Sequence, residues 1–211
     1  MKKLSGSEII IECLKREGVK YIFGYPGGAV LHIYDALFSS DEIKHVLVRH
    51  EQGATHAADG YARACGKPGV VLVTSGPGIT NCVTGLATAH MDSIPMIVIS
   101  GQVSRQYVGS DAFQEADATG ITRPVTKHNF LIDSRESIAE VFKKAFKIAT
   151  TGRPGPVLID IPKDLTDPKV KIKFEYPKSV KFRSYKPPKK ESSSKIEEAA
   201  KILCAAKKPM I

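Results

Sequence analysis

The residue best suited to proton chemistry is Glu51, in the stretch Arg49-His50-Glu51-Gln52-Gly53-Ala54. An apolar run at 46–48 predicts a short buried strand before it, and an alanine-rich run closed by Gly66 predicts a helix after it. A carboxylate held there among apolar neighbours has its charged form disfavoured, so it can exchange protons near neutral pH. The structural alternative is that Glu51 only stabilises the first helical turn through the helix dipole.

Apolar segments and helical patterns alternate along the chain and would position this carboxylate. The capping box Ser5-Gly6-Ser7-Glu8 opens a first helix, Thr80 or Asn81 is expected to cap a helix that runs to His90, and Ser134 is expected to cap a later one. Continuous apolar strands separated by helices predict an α/β fold, a parallel sheet with helices on both faces. The predicted strands lie at 21–24, 46–48, 70–74, 96–100 and 157–161.

Glycine-bearing turns follow three of these strands, at 24–28, 75–78 and 100–101. The carboxyl ends of parallel strands share one edge, where open α/β sheets bind ligands, so we expect these turns beside Glu51. Glycine there lets backbone approach a ligand closely, although it serves equally in a tight turn. A dinucleotide fold and a P-loop have no support, because no GxGxxG follows a strand and no GxxxxGK[ST] occurs.

The positive charge is concentrated in one segment. The net charge is +9, yet nine Lys or Arg and a single acid lie between 169 and 190, so the remainder holds 22 basic and 21 acidic residues. Prolines and serines accompany these charges, which predicts an interdomain linker rather than a nucleic-acid site. We find neither a membrane-spanning apolar run nor a signal peptide, so the expected location is cytoplasmic, with no membrane partner.

Cysteine and histidine show no metal-ligand pattern. Four cysteines are widely spaced without a CxxC pair, and we predict that they are reduced, small core residues. For the histidines at 50, 56 and 90 we predict packing or surface roles.

Six sequence motifs lie along the chain in a definite order. They are FGYPGG at 23–28, RHEQGA at 49–54, DGYAR at 59–63, TSGPG at 74–78, DAFQEAD at 111–117 and RPGP at 153–156. This is the order found in thiamine-diphosphate enzymes of the pyruvate oxidase and decarboxylase group. The combination closely resembles the large catalytic subunit of acetolactate synthases (acetohydroxyacid synthases) over about residues 4–163, and from 195 onward the chain resembles the start of their middle domain. DAFQEAD is the motif that singles out acetolactate synthases within the group.

The resemblance implies three parts: a pyrimidine-binding domain at 1–168, a basic linker at 169–194, and the truncated start of a flavin-binding middle domain at 195–211. It also implies that Glu51 hydrogen-bonds the aminopyrimidine ring nitrogen of thiamine diphosphate. Sharing a proton there favours the tautomer whose exocyclic nitrogen deprotonates the thiazolium carbon.

The resemblance also implies roles for further site residues. Structural roles remain open for them, and Arg153 can instead cap the carboxyl end of the preceding helix. The resemblance implies cofactor contacts at Pro26, Gly27, Gly28, Gly76 and Asn81, an FAD contact at Arg153, and a substrate channel at Gly28, Phe113, Gln114 and Lys163.

The implied activity is that of a transferase in branched-chain amino acid biosynthesis. Pyruvate is decarboxylated and condensed with a second 2-keto acid, pyruvate or 2-ketobutyrate, while FAD does no net redox work. Mg²⁺ would be bound by a GDG…N motif in a carboxy-terminal domain, and this sequence contains no Gly-Asp-Gly. We therefore expect no metal ligand in this segment and no activity from it alone.

The resemblance also implies partners. They are a second catalytic subunit, in a homodimer or tetramer, and a small regulatory subunit, which stays an open alternative. Two other functions remain open. Another carboligase, decarboxylase or oxidase of the group should lack Phe113, Gln114 and Lys163 together, and for a non-catalytic nucleotide-binding module Glu51 would be incidental.

Overall fold

The structure is a computed structural model that describes residues 2–187 and 192–210. The chain divides into two compact units, the first ending at Val180 and the second beginning at Lys181. The strands are β1 (Lys3–Ser5), β2 (Tyr21–Gly24), β3 (Lys44–Leu47), β4 (Gly69–Val73), β5 (Met96–Gln102), β6 (His128–Leu131), β7 (Pro156–Pro162) and β8 (Lys171–Lys173). The helices are α1 (Gly6–Arg16), α2 (Leu31–Phe38), α3 (Glu51–Cys65), α4 (Pro77–Thr80), α5 (Val83–Met91), α6 (Ala118–Thr122), α7 (Ile138–Thr150) and α8 (Ser193–Ala205).

The first unit is built on a six-stranded sheet in the order β3-β2-β4-β5-β7-β6, and all of its strand pairs are parallel. Every residue of β4, β5 and β7 is buried, as expected of continuous apolar runs covered on both faces. On one face, α3 and α5 pack in a single core cluster with Val71, Val98 and Leu158. On the other, α7 packs against β7 and α1. The predicted α/β fold class is confirmed.

The two edge strands differ from the sequence prediction. The segment 46–48 was expected to be buried, but β3 pairs only with β2, and Val46 and Leu47 are 38% and 64% exposed. β6 was missed altogether, because its residues are only partly buried and form no continuous apolar run. An edge strand covers less apolar surface, so its sequence signal is weak.

The first predicted helix start is confirmed and two others are wrong. Glu8 accepts from the backbone N of Ser5 at 2.8 Å, and Ser5 Oγ accepts from the backbone N of Glu8 at 3.3 Å. Ser134 instead closes a turn, where its Oγ accepts from the backbone N of Ser137, and α7 begins after that turn.

The expected cap by Thr80 or Asn81 is also wrong. Thr80 is the last residue of the short helix α4, and its hydroxyl donates to the carbonyl of Pro77. α5 begins only at Val83, and the side chain of Asn81 makes a contact described below. The sequence prediction therefore missed α4 and started the second helix before its first residue, Val83.

Part of the predicted linker folds with the first unit. β8 pairs antiparallel with β1, with Ile172 opposite Leu4. Beyond it, Tyr176 donates to Glu17 Oε1 at 2.5 Å, and Lys143 Nζ lies 2.7 Å from the same oxygen. The domain assignments remain predictions, and residues 188–191 of the predicted linker lie outside the described residues.

The cysteine prediction is correct in part. All four cysteines, which fall within the described residues, are free, but Cys13 and Cys82 are buried while Cys65 and Cys204 are exposed. Burial raises the pKa of the Cys13 and Cys82 thiols. The second unit contains α8, whose apolar side chains Ile196, Ile202 and Leu203 are exposed. Within the described part of the chain, no helix is long and apolar enough to cross a membrane.

Candidate active site

Glu51 is the first residue of α3 and is only 9% exposed. The helix begins here because His50 has an extended backbone and its Nδ1 accepts from the backbone N of Gln52 at 3.2 Å. It ends at Gly66, whose left-handed conformation closes the last turn. The predicted strand-to-helix position of Glu51 is confirmed.

The Glu51 carboxylate is fixed by one side chain. Asn81 Nδ2, between α4 and α5, donates to Glu51 Oε2 at 2.9 Å. Within the described residues Oε1 makes no hydrogen bond. Burial, and then the nearby Glu51 charge, raise the pKa of the Tyr34 phenol and of the Cys82 thiol. This buried carboxylate is held through Oε2, while Oε1 accepts no hydrogen bond from the described residues. Such a carboxylate is suited to share a proton with a ring nitrogen of a ligand.

The turn at 26–28 lies at the same carboxyl edge of the sheet. A Cβ on Gly27 would lie 2.5 Å from Thr74 Cβ, so glycine is required for this turn to pack on the end of β4. Thr74 Oγ1 also accepts from the backbone N of Ala29 at 3.3 Å. A Cβ on Gly28 would meet no described atom within 4 Å. Pro26 and Gly28 are exposed at this edge, as a contact with a ligand requires.

The turn at Gly76 contacts Gln114, one of the predicted channel residues, at this edge. The φ of Gly76 is +58°, and a Cβ there would lie 2.6 Å from the carbonyl oxygen of Gln114. The turn after β4 and the loop that carries Phe113 and Gln114 therefore lie in direct backbone contact. Phe113 is 88% exposed.

Lys163 lies at the carboxyl end of β7, half-buried at the start of a 3-10 turn. β7 is separated from β3, the strand before Glu51, by three intervening strands. The structure places Lys163 on the predicted edge of the sheet, while Asn81 is the predicted site residue that contacts the Glu51 carboxylate directly.

Arg153 lies at the opposite edge, before the amino end of β7. Its Nε donates to Ser93 Oγ at 2.7 Å, and its Nη2 donates to the carbonyls of Met91 at 3.0 Å and His90 at 3.5 Å. It thus stabilises the carboxyl end of α5. The sequence analysis had considered such a role for Arg153 at the preceding helix, which is α7. The structure does not bring Arg153 together with Glu51.

A buried polar cluster at the carboxyl edge was missed by the sequence analysis. Asp160 on β7 accepts from Ser100 Oγ at 2.6 Å and from Gln102 Nε2 at 3.1 Å. Burial raises the pKa of the Asp160 carboxyl to about 7, although both hydrogen bonds oppose the shift. The signal was available, since three polar residues interrupt two otherwise apolar strands.

The described residues contain no group of three or more His, Cys, Asp or Glu side chains that could hold a metal ion. Around Glu51, the groups that this edge offers a ligand are the Glu51 carboxylate, the Asn81 amide, and the backbone of two glycine turns.

Comparison with known proteins gives one family match, to the thiamine pyrophosphate enzyme, N-terminal TPP binding domain, over residues 4–121. The chain is 57% identical over 211 residues to the acetolactate synthase large subunit of Haemophilus influenzae, covering 100% of this chain and 37% of that protein. It is 56% identical to the acetolactate synthase isozyme 3 large subunit of Escherichia coli, with the same coverage of 100% and 37%. A probable acetolactate synthase large subunit of Methanocaldococcus jannaschii is 54% identical over 209 residues, covering 99% of this chain and 35% of that protein. The chain thus spans little more than a third of the length of these relatives.

Proposed function

Because this chain belongs to the thiamine pyrophosphate enzyme family, we propose that it supplies the pyrimidine-binding half of a thiamine diphosphate site in an acetolactate synthase large subunit. The observation that carries the proposal is the buried Glu51 carboxylate, held by Asn81 at the carboxyl edge of the sheet. Full-chain identity of 54–57% to proteins of that name supports the choice of reaction.

The residues present fit the aminopyrimidine of thiamine diphosphate. Glu51 Oε1 faces no described donor, whereas Oε2 is committed to Asn81. Pro26, Gly27 and Gly28, together with Gly76, would contact the same group with backbone atoms. When bound, thiamine diphosphate supplies the carbon nucleophile and the electron sink that 2-keto acid chemistry needs.

This chain's own residues would control one proton. Glu51 would share a proton with the pyrimidine ring nitrogen, and Asn81 would keep the carboxylate turned toward that nitrogen. Burial of Glu51 excludes water, and a charge in such a site interacts more strongly than in bulk solvent. An apolar residue at either position would leave the other polar group without its partner.

The substrates we propose are two 2-keto acids, pyruvate and a second molecule of pyruvate or 2-ketobutyrate. Phe113 and Gln114 would line their path, because the loop that carries them lies on the Gly76 turn and presents an exposed aromatic ring. Lys163 would add a cation at the same edge for the substrate carboxylate. The full-length protein would act in branched-chain amino acid biosynthesis.

Two further groups belong to the proposal for the full-length protein. Mg²⁺ would be held outside this chain, and the described residues include no ligand set for it. FAD would be contacted by Arg153, but the fit is poor, since that guanidinium is engaged with Ser93 and with carbonyls of α5. No step of the chemistry above passes through either group.

Partners and location are proposals of the same kind. A second catalytic subunit would complete the site in a homodimer or tetramer, and the relatives' name "large subunit" supports a small regulatory subunit. The proposed compartment is the cytoplasm. The test of the function is acetolactate formation from pyruvate by the full-length protein with thiamine diphosphate and Mg²⁺, and its loss on replacement of Glu51.

A further inference from the structure

The buried polar cluster around Asp160 has no part in the chemistry proposed above. Asp160 is 1% exposed, and Ser100 and Gln102 on β5 are 0% and 4% exposed. β5 and β7 are neighbours, and Ser100 lies opposite Asp160 in their register. A buried carboxyl group is costly unless its oxygens are hydrogen-bonded, so the geometry around Asp160 is closely constrained.

The side-chain amide of Gln102 is fully engaged by this chain. Its Nε2 donates both to Asp160 Oδ2 at 3.1 Å and to the carbonyl of Ala116 at 2.9 Å. Its Oε1 accepts from the backbone N of Val103 at 2.8 Å. Ser100 Oγ donates to the other oxygen of Asp160 at 2.6 Å.

Asp160 and two backbone groups, the Ala116 carbonyl and the Val103 N–H, fix which way this amide points. If the amide were reversed, Gln102 Oε1 would face two acceptors, an oxygen of Asp160 and the carbonyl of Ala116. Its Nε2 would face the N–H of Val103, which is a donor. Each buried polar group left without a partner costs free energy, so the contacts with Asp160 and Val103 together hold Nε2 toward Ala116.

Ala116 ends the loop that contains two of the proposed channel residues. Glu115 closes this loop on itself, because its carboxylate accepts from the backbone N of Gly109 and from that of Ala112. The hydrogen bond from Gln102 to Ala116 then ties the closed loop to β5. The loop therefore has one side-chain anchor to the sheet at the point where it rejoins the fold.

We infer that Asp160 is a positioning residue, which acts through Gln102 to hold the loop of Phe113 and Gln114 at the carboxyl edge of the sheet. The inference rests on the proposed function, because it takes these two residues to meet the 2-keto acid. Asp160 does not touch the substrate itself, and its effect is transmitted by the Gln102 amide.

Matched variants separate positioning from core packing. Asp160→Leu is close in size and offers no acceptor, so Gln102 Nε2 loses its partner on β7. Gln102→Met keeps the length of the side chain and removes the bond to Ala116. Ser100→Ala is the control, because it removes a hydrogen bond to the same carboxyl group and leaves the three Gln102 hydrogen bonds in place.

The first readout is the rate of limited chymotrypsin cleavage after Phe113, measured together with the urea midpoint of each variant. Losing one anchoring hydrogen bond should speed loop opening about fivefold to tenfold in Asp160→Leu and Gln102→Met. Ser100→Ala should change the rate by less than about twofold. Equal acceleration in all three, in proportion to lost stability, or no acceleration in any, would show that Asp160 only packs the core.

The second readout separates this inference from the proposed function. In the full-length protein, Asp160→Leu and Gln102→Met should raise the KM for pyruvate more than they lower kcat, with the thiamine diphosphate affinity unchanged. An equal loss in kcat with unchanged KM would overturn the positioning role. If the wild-type protein forms no acetolactate, the proposed function fails, and the cleavage rates alone decide whether Asp160 positions the loop.

Discussion

Asn81 Nδ2 donates to Glu51 Oε2 at 2.9 Å and joins the start of α3 to the segment between α4 and α5. The two residues are thirty positions apart, and both are expected to contact the same cofactor. The bond leaves one carboxylate oxygen of Glu51 for a ligand and sets the direction in which that oxygen points. We therefore propose that Asn81 belongs to the site in its own right.

Replacing Asn81 by Leu should weaken the site without unfolding the protein. The variant leaves Glu51 Oε2 without its donor, which misplaces the carboxylate, and turnover in the full-length protein should fall about tenfold or more. Steady-state kinetics with pyruvate measure the effect. Thr80→Val is the control, since the exposed Thr80 hydroxyl bonds only the carbonyl of Pro77 among the described residues. Equal kinetics for Asn81→Leu and wild type would remove Asn81 from the site.

The Asp160 carboxyl should make the stability of the first unit depend on pH. Burial raises its pKa from the ordinary value of 3.8 to about 7 in the folded protein. A raised folded-state pKa contributes stability that is fully present below pH 3.8 and is lost as the pH rises through about 7. Urea midpoints of wild type should therefore fall, between about pH 4 and pH 8, relative to those of Asp160→Asn, which does not titrate.

Parallel curves for the two proteins across that range would contradict a buried, protonatable Asp160. Ser100→Ala serves as a second reference. It removes a hydrogen bond that lowers the pKa of Asp160, so its decline in stability should extend to higher pH than that of wild type.

In limited digestion, trypsin should first cut the basic segment at a position nearer the carboxyl terminus than the composition of the segment indicates. Lys171 and Lys173 lie in β8, which is paired with β1, and Tyr176 is bound to Glu17. Cleavage is expected first after Lys178 and residues beyond it, and it should leave a compact amino-terminal fragment, as mass spectrometry would show.

Tyr176→Phe removes the hydrogen bond to Glu17, so trypsin should also cut nearer the amino terminus, after Lys173. Early cleavage within β8 of the wild-type protein would contradict the pairing with β1. Sequence-specific binding of this segment to DNA or RNA at physiological salt would contradict its interpretation as a connector.

The sequence predicted the parts of the fold that repeat a simple pattern. β4 is an unbroken apolar run, and β5 and β7 are apolar apart from Ser100, Gln102 and Asp160, so the burial of these strands could be read from composition alone. The position of Glu51 followed from the change in period between an apolar run and an alanine-rich one. The strand β3 was predicted near its actual position in the chain, but it was wrongly predicted to be buried. Three apolar residues in a row do not show how many neighbouring strands a strand has.

What the sequence did not predict depends on contacts between distant residues. Arg153 bonds to residues about sixty positions away, and Asn81 to one thirty positions away, so neither partner is visible in a local pattern. The short charged strand β8 exists only because β1 is available to pair with it. Asp160 shows the same limit, since its hydrogen-bond partners come from a neighbouring strand.

The proton-sharing role claimed for Glu51 can be measured through the turnover of Glu51→Gln in the full-length protein. The amide keeps the size of the side chain but cannot share a proton, so kcat for acetolactate formation should fall about 10²–10⁴-fold while the fold is retained. Glu140→Gln is the matched control, because Glu140 is exposed on α7, pairs with Lys144, and should leave kcat unchanged. A Glu51→Gln protein that is folded, binds thiamine diphosphate and turns over pyruvate at the wild-type rate would contradict the claim.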